Sequence, residues 1–143
     1  MEQIVLKRIM KSILKTIKIN NLTYFLLFIC LFAGMFKNIL LILLIVLIHE
    51  LGHVYFIKKF DYKIIKVEIF PFGGITKIEK DLNAPINHDL AIACGGFLFQ
   101  IILYLIVFCL YKLNMINDST LNLFNTYNNA ILIFNLLPII PLD

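Results

Sequence analysis

From Leu40 to Ile48 the chain is an unbroken run of leucine, isoleucine and valine, and it ends in His49-Glu50-Leu51-Gly52-His53. The run has neither strand alternation nor a polar face, so it predicts a helix surrounded by apolar groups on all sides. Two histidines four residues apart project from one face of a helix, where both rings can reach one divalent ion. Glu50, adjacent to His49, can take a proton from water activated by that ion. Polar side chains at membrane depth are costly and mark function. The pattern predicts zinc chemistry inside a bilayer. The bland alternative is two buried histidines satisfied by backbone carbonyls, and the poor tolerance of lipid for unpaired polar groups weighs against it.

The 143 residues suit one domain. Hydrophobic residues make up 61% and mean hydropathy is +0.91, beyond the usual soluble share, so most apolar surface is expected to face lipid. The net charge of +4 does not indicate nucleic-acid binding. Its basic residues cluster before the first apolar segment and after the second, the pattern of membrane orientation. Cys30, Cys94 and Cys109 form no CxxC pair and read as small apolar residues in helices. No small-residue cleavage site follows the first apolar run, which argues against a secretory signal.

Residues 1–20 interleave Lys7, Arg8, Lys11, Lys15 and Lys18 with isoleucine and leucine. That spacing suits an amphipathic helix on an anionic cytoplasmic leaflet, and equally a charged flank that orients the first span. Four apolar segments follow: Leu22–Phe36, Asn38–Ile57, Ala91–Tyr111 and Leu121–Leu142. The first is short, roughly 15 residues against the ~20 a span needs. Between the second and third, Lys63–Phe70 and Ile75–Glu79 alternate like strands about Pro71-Phe72-Gly73-Gly74. The expected architecture is an all-α membrane bundle of about four transmembrane helices, with a short membrane-associated β-hairpin between helices two and three. An exposed hairpin edge could pair with an extended substrate. Lysines in the N-terminal segment and in loop 58–90 place both on the cytoplasmic side.

Catalytic zinc takes three protein ligands and leaves one position open. Beyond His49 and His53 the candidates are Asp61, Glu68, Asp81, His88, Asp89 and Asp143. Asp143 is favoured, because a carboxylate in the otherwise apolar stretch 136–143 needs a partner.

Three ordered motifs carry a family resemblance: His49-Glu50-Leu51-Gly52-His53, Phe70-Pro71-Phe72-Gly73-Gly74, and Asn135-Leu136-Leu137-Pro138-Ile139-Ile140-Pro141-Leu142-Asp143. From about Leu40 onward the chain resembles the site-2 protease family of intramembrane zinc metalloproteases, in particular its bacterial sporulation branch. The resemblance implies zinc held by His49, His53 and Asp143, with Glu50 as general base. It implies that Asn135 positions the substrate backbone and that Phe70, Gly73 and Gly74 belong to a membrane-dipping loop beside the active site. Residues 21–143 would be the protease core and residues 1–20 a basic N-terminal segment. The implied protein is multi-pass in the cell membrane, with its N-terminus cytoplasmic. It would cut a membrane-tethered protein near the cytoplasmic face, in the sporulation branch a precursor sigma factor, under membrane-embedded inhibitory proteins.

Two departures stand out. Where the family often has Gly-Pro, this chain reads Cys94-Gly95-Gly96, with Gln100 following, a change expected to affect a kink or packing. Family members also continue beyond the position of Asp143, which implies a fragment of the catalytic core or a truncated, inactive scaffold. A zinc-binding transporter is the remaining alternative. It is disfavoured because the spans hold only His49, Glu50, His53 and Asp143, too few for an ion path.

Overall fold

The computed structural model describes residues 17–70, 73–79 and 85–136. In chain order these form β1 (Ile17–Ile19), α1 (Asn21–Phe32), α2 (Phe36–Lys59), β2 (Lys63–Phe70), β3 (Gly73–Glu79), α3 (Ile86–Lys112) and α4 (Asp118–Leu136). Helices α2 and α3 are long and apolar enough to cross a membrane. Helix α1 has 12 residues, and the 19 residues of α4 include five asparagines. Among the described residues, two of the four expected spans therefore meet the length and composition of a crossing helix.

Three helices end in the same way. A residue in the left-handed region follows the last turn, and the next amide bonds a carbonyl five residues back. Met35 N–H donates to Cys30 O (2.8 Å), Tyr62 N–H to Ile57 O (3.0 Å) and Met115 N–H to Leu110 O (3.0 Å). The left-handed residues are Gly34, Asp61 and Asn114, types that tolerate positive φ. Sharp stops of this kind let α2 turn at once into β2. Helix α4 starts on Asn117, whose Oδ1 accepts from Thr120 N–H at 2.9 Å.

The hairpin is present and larger than expected. Strands β2 and β3 pair antiparallel from Lys63↔Glu79 to Phe70↔Gly73, so Gly73 and Gly74 belong to the strand and not to the turn. A third strand was not anticipated. β1 lies parallel to β2, with Ile17 opposite Val67 and Ile19 opposite Ile69. Residues 17–19 thus depart from the amphipathic helix, one of the two readings of 1–20, because two β-branched side chains find a ready ladder on β2; residues 1–16 lie outside the described residues. Loop 58–90 is also shorter than expected. Helix α3 begins at Ile86, which takes His88 and Asp89 out of the loop and into its first turn.

Ile45 and Val46 of α2, Ile69 of β2, and Phe124 and Ile131 of α4 form the buried core. Helix α3 is built the other way round. Its buried residues are Gly95, Gly96 and Gln100, whereas Phe97, Leu98, Leu105 and Ile106 are exposed. A polar or small inner face and an apolar outer face suit lipid and not water.

Helices α2 and α3 run antiparallel and touch through glycine. A Cβ on Gly52 would collide with the backbone of Gly95 and Gly96, and one on Gly95 with the Gly52 carbonyl and the Phe56 ring. Helix propensity alone makes Gly→Ala in such helices a gain of about 1 kcal/mol. Here the sign should reverse. Gly95→Ala is expected to cost about 1–3 kcal/mol through overpacking, read by equilibrium unfolding in detergent.

Candidate metal centre

The α2–α3 contact brings the backbone of α3 against both histidines. Nδ1 of His53 lies 2.7 Å from the carbonyl oxygen of Ile92. A carbonyl only accepts, so this Nδ1 carries the proton and donates. Nδ1 of His49 lies 2.9 Å from Oε1 of Gln100, and the Gln100 amide nitrogen donates to the Asn128 carbonyl on α4 at 2.7 Å. That second bond fixes which end of the amide faces His49, so His49 donates as well.

Both rings therefore present a bare nitrogen on the opposite edge. These two Nε2 atoms face each other at 3.1 Å, with the ring planes at 71°. Two neutral lone pairs that close repel each other, and a cation shared between them removes the repulsion. Nitrogens bound at ~2.0–2.1 Å to one tetrahedral zinc sit about 3.3 Å apart, close to the observed separation. The space in front of them is kept open by Gly96, where a Cβ would collide with both Nε2 atoms. The donor set, its tautomers and the cradle all fit a divalent metal. Carbonyl satisfaction, the bland alternative, accounts for one nitrogen of His53 and leaves its Nε2 unexplained.

Glu50 completes the cluster. It is only 3% exposed, and its ligand atom lies within 4.8 Å of those of His49 and His53. Its carboxylate is satisfied by β3: Thr76 Oγ1 donates to Oε2 at 3.1 Å, and the Gly74 backbone N–H donates as well. Gly74 has to be glycine for this approach, since a Cβ there would meet the carboxyl group.

The other expected residues distribute unevenly. Gly73 lies against Asn135, with room for a Cβ only 3.2 Å from its Oδ1, so β3 runs between Glu50 and Asn135. Asn135 Nδ2 is turned back onto its own helix and donates to Ile131 O at 2.8 Å. Phe70 closes the hairpin opposite Gly73 and is half-buried. Asp143 lies outside the described residues, as does Asp81. Two third-ligand candidates are engaged elsewhere. His88 Nδ1 is 2.9 Å from the Tyr62 hydroxyl and its ring stacks on Phe60 at 3.9 Å, while Glu68 pairs with Lys66 at 2.9 Å. Asp61 occupies the left-handed turn after α2, and Asp89 the first turn of α3. Among the described residues, the metal-competent group is His49, Glu50 and His53.

Sequence reasoning missed Gln100, Thr76, the Ile92 carbonyl and the role of Gly96. Gln100 carried a signal, a lone amide in an apolar span. Of Gly95-Gly96, expected to affect a kink or packing, Gly95 does sit in the helix contact, whereas Gly96 lies directly against the imidazoles.

Residues 37–115 match the family model described as Peptidase family M50. The chain is similar to stage IV sporulation protein FB of Bacillus subtilis, 40% identical over 96 residues that cover 67% of this chain and 33% of that protein. It is also similar to a zinc metalloprotease of Methanocaldococcus jannaschii, 33% identical over 102 residues covering 67% of this chain and 28% of the relative. The aligned part thus spans a third or less of these curated relatives (33% and 28%).

The cradle makes a direct prediction. Gly96→Ala should weaken zinc binding roughly tenfold or more in a chelator-competition titration, comparable with losses from disturbing a ligand's surroundings. Helical content in circular dichroism should stay at the wild-type level. Wild-type affinity in this variant would mean that the two rings do not share an ion in front of Gly96.

Proposed function

The chain belongs to peptidase family M50, and we propose that it is the catalytic core of a zinc-dependent intramembrane endopeptidase. The observation that carries this reading is the gathering of His49, Glu50 and His53 on a helix apolar enough to cross a membrane. In this reading α2 and α3 cross the bilayer, and the outward apolar face of α3 meets lipid. Helices α1 and α4 complete a four-span bundle with a cytoplasmic N-terminus.

His49 and His53 would hold the zinc, each offering its free Nε2, and Asp143 would be the third ligand. When bound, the ion supplies Lewis acidity, lowering the pKa of water toward ~7 and polarising a carbonyl. Glu50 accepts the proton of the attacking water and returns it to the departing amine. Thr76 and Gly74 hold the Glu50 carboxylate in place while it does so. Asn135, next to Gly73, orients the substrate backbone. A peptide bond inside a helix hides its carbonyl, so the substrate must be extended at the cut, and the β3 edge offers it a pairing surface. The substrate class is a membrane-tethered protein cut near the cytoplasmic face. The family resemblance suggests a precursor sigma factor as substrate and membrane-embedded inhibitors as regulators, and similarity to a sporulation protein is in keeping with a role in sporulation.

Glu50→Gln tests the assignment. It should retain zinc at the wild-type stoichiometry and lose cleavage of a membrane-tethered substrate by at least ~10²-fold, the usual contribution of a general base. His49→Ala should lose the zinc itself, measured by elemental analysis after dialysis. Cleavage surviving in Glu50→Gln, or a wild-type protein that binds no zinc, would overturn the proposal.

A further inference from the structure

Gln100 is fully buried at 0% exposure, halfway along an apolar helix. No other residue from Ala91 to Leu110 carries an amide or a charge. Both ends of its amide are used, Oε1 by His49 Nδ1 at 2.9 Å and Nε2 by the Asn128 carbonyl at 2.7 Å. Resting on the zinc reading above, we propose that Gln100 is a positioning residue for the metal centre, setting the tautomer of His49 from the backbone of α4.

The geometry gives the order of control. The Asn128 carbonyl accepts only, so it selects the amide orientation with nitrogen toward α4 and oxygen toward α2. A flipped amide would oppose two oxygens at 2.7 Å. With oxygen toward α2, Nδ1 of His49 must be the protonated nitrogen, and the lone pair is left on Nε2, the atom that faces His53. His53 receives the same instruction without an intermediary, from the Ile92 carbonyl. One turn of the relay is thus supplied by main chain and the other by a side chain. Donation of the far ring nitrogen to an oxygen is how metal-bound imidazoles are oriented and made more basic.

A plain tether between α3 and α4 is the competing role, and two substitutions separate them. Gln100→Met keeps length and removes both polar ends. Gln100→Glu, ionised beside a metal-bound imidazole, keeps an oxygen toward His49 and has no proton to donate to Asn128. Zinc affinity of the full chain in detergent, measured by chelator competition, is the readout. Gln100→Met should raise the dissociation constant 10–100-fold, and Gln100→Glu should stay within about threefold of wild type. Should the Met variant not fold, Gln100→Ser, too short to reach His49, should show the same loss. A tether alone predicts that Glu and Met behave alike. Equal affinity in wild type and the truncating variant, or a Glu variant as weak as Met, overturns the inference while leaving the protease reading intact. A wild-type chain without zinc affinity overturns both.

Discussion

Three polar side chains within five residues, sunk in an apolar helix, must find partners from neighbouring elements. Most of the architecture around α2 supplies them. Helix α3 gives His53 a carbonyl and His49 an amide oxygen, α4 orients that amide, and β3 gives Glu50 a hydroxyl and a backbone N–H. Each partner needs close approach. The glycine at 52, 95, 96 or 74 is what permits it. An unsatisfied group of this kind costs several kcal/mol in hydrocarbon, more than most single packing contacts return. Placement of the elements and chemistry of the cluster are therefore one problem with one solution.

Much of this was legible. The HELGH pattern gave the histidine pair whose Nε2 atoms meet, and continuous hydropathy gave α2 and α3. Alternation gave β2 and β3 to within two residues. What failed to show has identifiable reasons. A backbone carbonyl such as that of Ile92 leaves no trace in residue identity. Strand β1 depends on an edge offered by residues fifty positions away, so local spacing over 1–20 suggested a helix or a charged flank instead. The start of α3 was placed late because His88 and Asp89 look like loop residues. An extended Pro85 opens that helix, and an acid in its first turn is favoured by the helix dipole. Gln100 and Thr76 were readable in principle, as polar residues in settings that do not ask for one. Asp143 stays a sequence-level assignment, since it lies outside the described residues.

Helix α3 illustrates how membership of peptidase family M50 is compatible with a sequence departure at Cys94-Gly95-Gly96. The second glycine leaves room in front of two nitrogens, and the first allows the crossing itself. A ring-constrained residue at this place would remove a backbone donor and bend the helix. Glycine reaches close packing by omission of a side chain, so the segment stays straight enough for Ile92 and Gln100 to lie two turns apart on one face, each opposite its own imidazole.

Among the described residues β3 is one edge of the sheet, and the same strand furnishes the hydrogen bonds to Glu50. Pulling that strand aside would strip the Glu50 carboxyl group of its donors and leave a buried acid without partners. In the proposed reading guest and acid are thereby mechanically linked: whatever pairs along this edge would have to do so without prising the strand from Glu50.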